Sequence, residues 1–484
     1  MVELASAYSP LKLDSASGRA VILSRDHRLL AFTGSDHVVK VVDMATGRGV
    51  STFTHEEPAI PVGFASDGRF LAIKQKSILK LNEIETGCEV TRLQRNVESA
   101  YRSRDDNYLV IRYAAEGEVV RLIASNSLQE IIHYSSGPMC HQPAFSRDGR
   151  LVAMANRYEH IVQLFDLVNG TEQWRIAPDV QFPPRIGPCC PEFSPDGQSL
   201  AVDVLGTVML YDVSTGTVKS RLQAEWAKQA ASALTPNFSP DGRALAIEAF
   251  ASSGQGVTAG LFEVEGEREL VSVHSRASGV DIYKTRGPLA KFKFAFSPDS
   301  HFFAVRSDGD DPVLLFEVTT GKELARMELG WGFAGVLFSP DGRTLAAASN
   351  NGSVRLLDVE TQRVLGTAQH AKAVTHMEFS PDSRFLVTSS QDGTALMMET
   401  VTGKEIARFE HGAPITQASF SHDGQSLLTV SDDKVKLWSA DPNWPFDQLC
   451  ARAGRNLSRE EWRTFIGESE PWRATCPKRH VPDS

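Results

Sequence analysis

The sequence contains no long apolar segment and no excess of basic residues. No apolar run approaches the roughly 20 residues that a helix needs to cross a bilayer. The first residues also lack a basic stretch followed by an apolar one, which predicts that no signal peptide is present. The formal net charge of −10 at pH 7 argues against a general phosphate-binding surface. We therefore predict a cytoplasmic protein that contacts neither a membrane nor nucleic acid.

The sequence also lacks the short motifs that mark common enzymes and metal sites. It has no Gly-x-x-x-x-Gly-Lys-Ser/Thr for nucleotide phosphates, no Gly-x-Ser-x-Gly nucleophile turn and no His-Glu-x-x-His zinc motif. Its six cysteines have neither zinc nor haem spacing, and we expect them to be reduced, buried thiols. These absences predict that the chain has no catalytic residue, no bound metal and no cofactor.

What the sequence does contain is one short phrase, Phe-Ser-Pro-Asp-Gly, repeated along almost its whole length. The phrase is intact at 193–197, 238–242 and 338–342. Altered copies begin at seven further positions: Leu23, Phe64, Tyr101, Phe145, Phe296, Phe379 and Phe420. Ten copies at intervals of 37 to 58 residues indicate a repeat architecture.

Each repeat unit reads as four short strands, which we name a, b, c and d. The phrase is a tight turn between a and b, because Pro and Asp suit its central positions and Gly supplies a positive φ. In one unit, strand a is predicted at 374–379. In the preceding unit, strands b, c and d are predicted at 344–348, 354–358 and 364–366, with polar turns between them. The sequence therefore predicts an all-β fold.

The end of strand c carries a second signature. A large apolar residue precedes an acid or a small polar residue, as at Tyr211-Asp212 and Trp438-Ser439, and a Thr-Gly pair often follows, as at 215–216 and 402–403. This pattern resembles the WD-repeat family of β-propellers. The resemblance implies that the ten or so four-stranded repeat units form a WD-type β-propeller. A short α-helical C-terminal tail is predicted to follow it. The resemblance also implies structural braces within the blades, formed by these residues: His370, Ser390, Asp392, His411 and Asp432.

Two arrangements of the ten units are compatible with the sequence. Residues 1–440 could form one propeller of ten units, in which a strand at 2–8 supplies the missing strand d of the last unit. Alternatively, residues 1–134 could be three units of a neighbouring ring and residues 135–440 a complete seven-bladed ring. Both arrangements assign 441–484 to the helical tail.

The predicted tail has its own pattern. A helix is predicted at 447–454, and Ser-Arg-Glu-Glu at 458–461 is a capping box that starts a second helix. The string between Ala453 and Pro477 resembles the tail that follows WD repeats in bacterial STAND-type signalling NTPases. That resemblance implies the sensor or interaction part of a bacterial signalling or defence system, with an NTPase or effector module as a possible partner.

The spacing of the repeats predicts where a binding surface lies. Because the strands alternate in direction, the b–c and d–a loops share one face of the ring. The extra residues of the longest units fall in these loops, at 177–191, 222–236 and 273–290. Aromatic and Arg side chains anchor many protein interfaces. The partner-binding candidates of this type are Phe182, Arg185, Trp226, Arg276, Tyr283, Arg286 and Trp331.

Two functional hypotheses follow from these observations. The first is a non-catalytic WD-repeat scaffold that binds a protein or peptide through the b–c and d–a loops. The alternative is a propeller enzyme, such as a lactonase-like hydrolase, with its site in the central channel. That enzyme needs acids, His or Asn on several a strands, and the predicted a strands do not carry them consistently.

Overall fold

The computed structural model of the chain is all-β in every part that it describes. It describes residues 21–26, 28–33, 37–44, 48–94, 97–103, 106–113, 119–135, 143–156, 160–177, 189–223, 234–250, 257–274, 294–306, 312–330, 332, 335–421, 423–431 and 435–440. Within these ranges no helix is long and apolar enough to cross a membrane. The predicted helices at 441–484 and the predicted strand at 2–8 lie outside the described residues and stay predictions.

The described strands form ten antiparallel sheets, each built from consecutive strands. Each sheet is one blade of a propeller, and its strands run a, b, c, d in chain order. The first five blades are β1 Val21–Leu23, β2 Leu29–Thr33, β3 Val38–Asp43 and β4 Gly49–Thr54; β5 Ala59–Phe64, β6 Phe70–Gln75, β7 Ile78–Glu83 and β8 Glu89–Gln94; β9 Val97–Arg102, β10 Tyr108–Tyr113, β11 Val119–Ala124 and β12 Glu130–Ser135; β13 Ala144–Phe145, β14 Leu151–Asn156, β15 Ile161–Asp166 and β16 Thr171–Ile176; β17 Cys189–Phe193, β18 Ser199–Val204, β19 Thr207–Asp212 and β20 Val218–Gln223.

The other five blades follow the same plan, although the described part of the last one has three strands. They are β21 Leu234–Phe238, β22 Ala244–Phe250, β23 Val257–Glu263 and β24 Arg268–His274; β25 Phe294–Phe296, β26 Phe302–Val305, β27 Val313–Glu317 and β28 Glu323–Met327; β29 Gly335–Phe338, β30 Thr344–Ala348, β31 Ser353–Asp358 and β32 Val364–Gln369; β33 Val374–Phe379, β34 Phe385–Ser390, β35 Thr394–Glu399 and β36 Glu405–Glu410; β37 Ile415–Phe420, β38 Ser426–Ser431 and β39 Val435–Ser439.

Burial changes systematically across each blade. In the eighth and ninth blades every residue of strand b is buried, as in β30 and β34. Strand d of the same blades, β32 and β36, alternates between exposed and partly buried positions. Strand b is therefore covered on both faces by neighbouring blades, whereas strand d forms the outer edge.

Hydrophobic clusters join each blade to the next around the ring. Val110 of the third blade packs with Phe145 of the fourth. The last blade also packs on the first, where Leu428 and Val430 meet Leu30 and other residues of the first blade. The ten sheets therefore form a ten-bladed propeller.

The repeated phrase forms the same hydrogen-bonded turn in most blades. In the eighth blade the Ser339 hydroxyl donates to Asp341 Oδ1 at 2.6 Å and accepts from Thr344 N at 2.9 Å, while Asp341 Oδ1 also accepts from Arg343 N. The repeated aspartates are therefore turn formers. The same Ser–Asp bond occurs at Ser24–Asp26, Ser146–Asp148, Ser194–Asp196, Ser239–Asp241, Ser297–Asp299, Ser380–Asp382 and Ser421–Asp423.

Two blades end the phrase with Ser where six others have Gly. Ser300 and Ser383 both have φ of 63°, a conformation that suits glycine. Each hydroxyl accepts a 3.0 Å hydrogen bond from a backbone amide of the preceding blade, Asp241 N and Asp341 N respectively. Each serine therefore has a strained backbone conformation, and its hydroxyl forms a hydrogen bond to the neighbouring blade.

We expect Ser383→Ala to destabilise the protein by about 1–2 kcal/mol, because it keeps the strained φ and leaves the amide of Asp341 without its acceptor. Ser383→Gly should be close to wild type, because relief of the strain offsets the lost bond. Chemical denaturation of both variants provides the measurement. Equal losses in the two variants would contradict this account of the serine.

Candidate protein interface

The strand bounds place the longest connections on one face of the ring. We call the face formed by the b–c and d–a loops the loop face, and the opposite one, formed by the a–b and c–d turns, the turn face. The three longest d–a loops are 177–188, 224–233 and 275–293, whereas short d–a loops such as 370–373 and 411–414 occur elsewhere. Six of the seven partner-binding candidates belong to the long loops, and the seventh to the loop 328–334. All seven lie outside the described residues: Phe182, Arg185, Trp226, Arg276, Tyr283, Arg286 and Trp331.

A buried arginine holds the two glycines on either side of Trp331. Arg306 follows β26 and is 1% exposed. Its guanidinium donates to the carbonyl oxygen of Gly330 at 2.6 Å and to that of Gly332 at 2.9 Å. Two directed bonds from one planar group fix the orientation of both peptide groups. Arg306, in the b–c connection of the seventh blade, thus holds the carbonyl groups of two residues of the d–a loop that leads into the eighth.

The eighth blade restrains the same loop from the other side. Asn351 Nδ2 donates to the carbonyl oxygen of Leu329 at 3.2 Å, and Ser349 in turn donates to Asn351 Oδ1. Gly330 and Gly332 have φ of 77° and 79°. A Cβ on Gly330 would lie 2.6 Å from Asn351 Nδ2, so the backbone is closely packed as well as bonded.

An aspartate performs a similar role at the end of a long loop. Asp203, in β18 of the fifth blade, is 4% exposed. Its carboxylate accepts from the amides of Gly206 and Leu234, each at 3.0 Å. Because Leu234 is the first residue after 224–233, Asp203 anchors the far end of that lengthened loop.

The predicted brace of the ninth blade is a buried hydrogen-bond network. His370 Nε2 lies 2.9 Å from Thr388 Oγ1, and His370 Nδ1 lies 3.4 Å from Asp392 Oδ2. Asp392 accepts from Ala371 N at 2.8 Å and from Thr394 N at 2.8 Å. Ser390 does not bond to the histidine but donates to the carbonyl oxygen of Lys372. The network therefore connects strand b, the b–c turn and the d–a loop.

The tenth blade contains part of a similar arrangement. His411 Nδ1 lies 2.8 Å from Thr429 Oγ1, and Trp438 Nε1 donates to the same hydroxyl at 2.8 Å. Asp432, the predicted acid of this brace, lies outside the described residues. The Trp of the strand-c signature thus joins the histidine of the d–a loop through one threonine.

Arg306 and Asp203 are absent from the sequence-based site. A structural role for Asp203 could have been suspected from the sequence, because an acid between apolar residues of strand b is unusual unless a partner satisfies it. No sequence pattern indicates the role of Arg306, since a single Arg after a strand ordinarily lies in solvent. Among the described residues, no group of three or more His, Cys, Asp or Glu side chains could hold a metal ion.

Comparisons with known proteins agree with the geometry. The family "WD domain, G-beta repeat" matches residues 331–358, 362–397 and 403–439, the last three blades. No curated protein matches the chain significantly. A solved structure titled "Crystal structure of the eukaryotic initiation factor" is similar with a TM-score of 0.55 and 16% identity, over 79% of this chain and 95% of that one. The fold is thus a β-propeller, and its WD40 repeats support the WD-repeat propeller family. WD40 propellers are typically non-catalytic scaffolds for protein partners.

Proposed function

We propose that this chain is a scaffold that binds a protein or peptide partner through its loop face. The observation that carries the proposal is the pair of hydrogen bonds from Arg306 to the peptide groups of Gly330 and Gly332. Backbone that is hydrogen-bonded in place before binding loses little entropy on binding, which favours affinity. The residue between the two glycines is a tryptophan, the residue type most enriched at binding hot spots.

The turn face is the weaker candidate for a docking surface. Its a–b turns are short and are occupied by internal Ser–Asp bonds, as at Ser339 and Asp341. On the loop face, by contrast, three long d–a loops follow one another around the fourth to seventh blades. Long loops on a rigid scaffold are where proteins commonly place recognition residues.

The setting of this scaffold is a further part of the proposal. The resemblance of 453–477 to the tails of STAND-type proteins supports a sensor role in a bacterial signalling or defence system. An NTPase or effector module is then a natural partner. The exposed thiol of Cys88, which forms no disulfide, supports a cytoplasmic location.

The test is affinity capture from a native lysate, followed by measurement of Kd for the captured protein. We expect Trp331→Ala to weaken binding about 30-fold, the effect of losing a hot-spot side chain. Shortening 224–233 and 275–293 to the common loop length should also reduce capture. Val401→Ala is the matched control, because Val401 is 77% exposed on the turn face. A partner that Val401→Ala weakens while the loop variants bind normally would overturn the proposed face.

A further inference from the structure

Side chains join the innermost strands of the ninth and tenth blades. Thr375 Oγ1 donates to the carbonyl oxygen of Ile415 at 2.7 Å. Glu378 Oε1 accepts from Phe420 N at 2.9 Å, and His376 bonds to the backbone of Ala418. Side chains of β33 thus bond to the backbone of β37 at three levels, and we call this contact the seam.

Two titratable groups lie side by side in the seam. His376 and Glu378 are two residues apart in β33, so they share one side of the strand. The Glu378 carboxyl also bonds to the hydroxyl of Ser419, which accepts from Gln417 Nε2 at 3.1 Å. The packed strands β29, β34, β37 and β38 contain no titratable side chain, and β35 contains only Glu399, at its end on the turn face. His376 and Glu378 are therefore the only titratable groups of these strands at the seam.

Burial shifts the two groups in opposite directions. It lowers the pKa of His376 from 6.5 to about 4, only partly opposed by the bond to Ala418. It raises the pKa of Glu378 from 4.5 to about 7, and the bonds from Phe420 N and Ser419 oppose this only in part. Between about pH 4.5 and 6.5 both side chains are therefore neutral in the folded protein. Both side chains keep some exposure to solvent at the seam.

We propose that His376 and Glu378 make the seam a proton-exchanging junction, in which both side chains are neutral while the strands are joined and both become charged when the strands separate. Opening then releases a proton from Glu378 and takes one up at His376. The two groups pass through opposite protonation changes, so the net number of bound protons stays nearly constant. This inference is independent of the proposed partner binding.

Each group contributes to the stability of the joined strands with its own dependence on pH. The raised pKa of Glu378 favours the joined strands at low pH, and this contribution is lost as pH rises from 4.5 to 7. The lowered pKa of His376 favours the joined strands above pH 6.5, and this contribution is lost as pH falls towards 4. Because the windows overlap, the two contributions nearly cancel, and the seam keeps its strength across mildly acidic and neutral pH.

Hydrogen exchange of the Phe420 amide tests the proposal, because this amide donates to Glu378 itself. Its protection, corrected for intrinsic exchange, should change within about threefold between pH 4 and 7.5 in the wild type. In Glu378→Gln only the histidine still titrates, so protection should fall on the order of 100-fold from pH 7 to 4. In His376→Gln only the acid still titrates, so protection should rise by a similar factor from pH 7.5 to 4.5.

A reference substitution separates the seam from general effects of pH. Glu360→Gln, an exposed change in a c–d turn, should reproduce the wild-type profile. Identical profiles for wild type and either seam variant would overturn the proposal. If Glu378→Gln does not fold, His376→Gln alone decides, because its slope has the sign opposite to that of general acid denaturation.

Discussion

Gly403→Ala is expected to destabilise the protein by about 3 kcal/mol or more, one of the largest effects of any single methyl group added to this chain. Gly403 lies in the c–d turn of the ninth blade with φ of 66°, so alanine there is strained in any surroundings. The new Cβ would also lie 2.4 Å from the backbone nitrogen of Gly366, in strand d of the eighth blade. The backbone strain and the steric clash add, because neither backbone segment can move without breaking hydrogen bonds of its own blade.

Gly197→Ala is the matched control for this prediction. Gly197 has φ of 70°, but no atom would lie within 4 Å of a Cβ added there, so its substitution introduces strain without a clash. When both variants are unfolded in urea, Gly197→Ala should lose only about 1 kcal/mol. Gly366→Ala isolates the other cost, because that residue has no positive φ but its Cβ would lie 2.0 Å from Gly403 O. Equal losses for Gly403 and Gly197 would show that the contact between blades contributes nothing.

The same contact explains why Thr-Gly recurs after strand c. A Cβ on Gly321 would lie 2.5 Å from the carbonyl oxygen of Leu270, in strand d of the preceding blade. One on Gly216 would lie 3.0 Å from Ile176 Cδ1, again in the preceding strand d. The glycine of this signature therefore lets neighbouring blades approach closely at the outer edge of the ring. What reads as a turn signal in the sequence is also a contact between blades.

The fold could be predicted from the sequence because each repeat unit specifies itself locally. Turn chemistry at Ser339 and Asp341, alternation in β33 and the polar turns between strands all depend on residues close in sequence. The prediction of an all-β propeller of about ten repeat units is therefore confirmed in the described residues, and the WD-repeat pattern is matched in the last three blades. The number of copies of the phrase also equals the number of blades, since every copy starts at the end of an a strand.

The parts that could not be predicted depend on contacts between distant units. Arg306 reaches a loop 24 residues away, and Asp203 reaches an amide 31 residues away. No local pattern distinguishes such a side chain from a solvated one. The histidine brace illustrates the same limit, because the hydroxyl near His370 Nε2 belongs to Thr388 and its neighbour Ser390 bonds elsewhere. The seam pair is a third case, since its chemistry arises from the burial that two blades create together.

Asp392→Ala is the other substitution with a large expected effect, a loss of about 3 kcal/mol. The carboxylate accepts from Ala371 N, Thr394 N and Thr394 Oγ1 and lies 3.4 Å from His370 Nδ1. The His370 side chain is fully buried and the Asp392 side chain is 8% exposed, so water cannot replace these bonds. Asp382→Ala is the control. It removes a carboxylate with similar turn bonds to Ser380 and Arg384 N at an exposed position, and should lose about 1 kcal/mol.

The pH dependence of the Asp392→Ala variant provides a second test of the brace. Burial lowers the pKa of His370 below 6.5, and the nearby Asp392 charge acts to raise it. Because the folded pKa is depressed, the histidine's contribution to stability is complete above pH 6.5 and is lost as pH falls. Removing Asp392 takes away the opposing effect, so the pKa of His370 falls further and stability should decrease more steeply below pH 6.5 than in the wild type. Denaturation midpoints at pH 7.5, 6.5 and 5.5 measure this slope. A variant whose midpoints run parallel to those of the wild type would show that Asp392 acts only on the backbone of the turn and exerts no effect on the histidine.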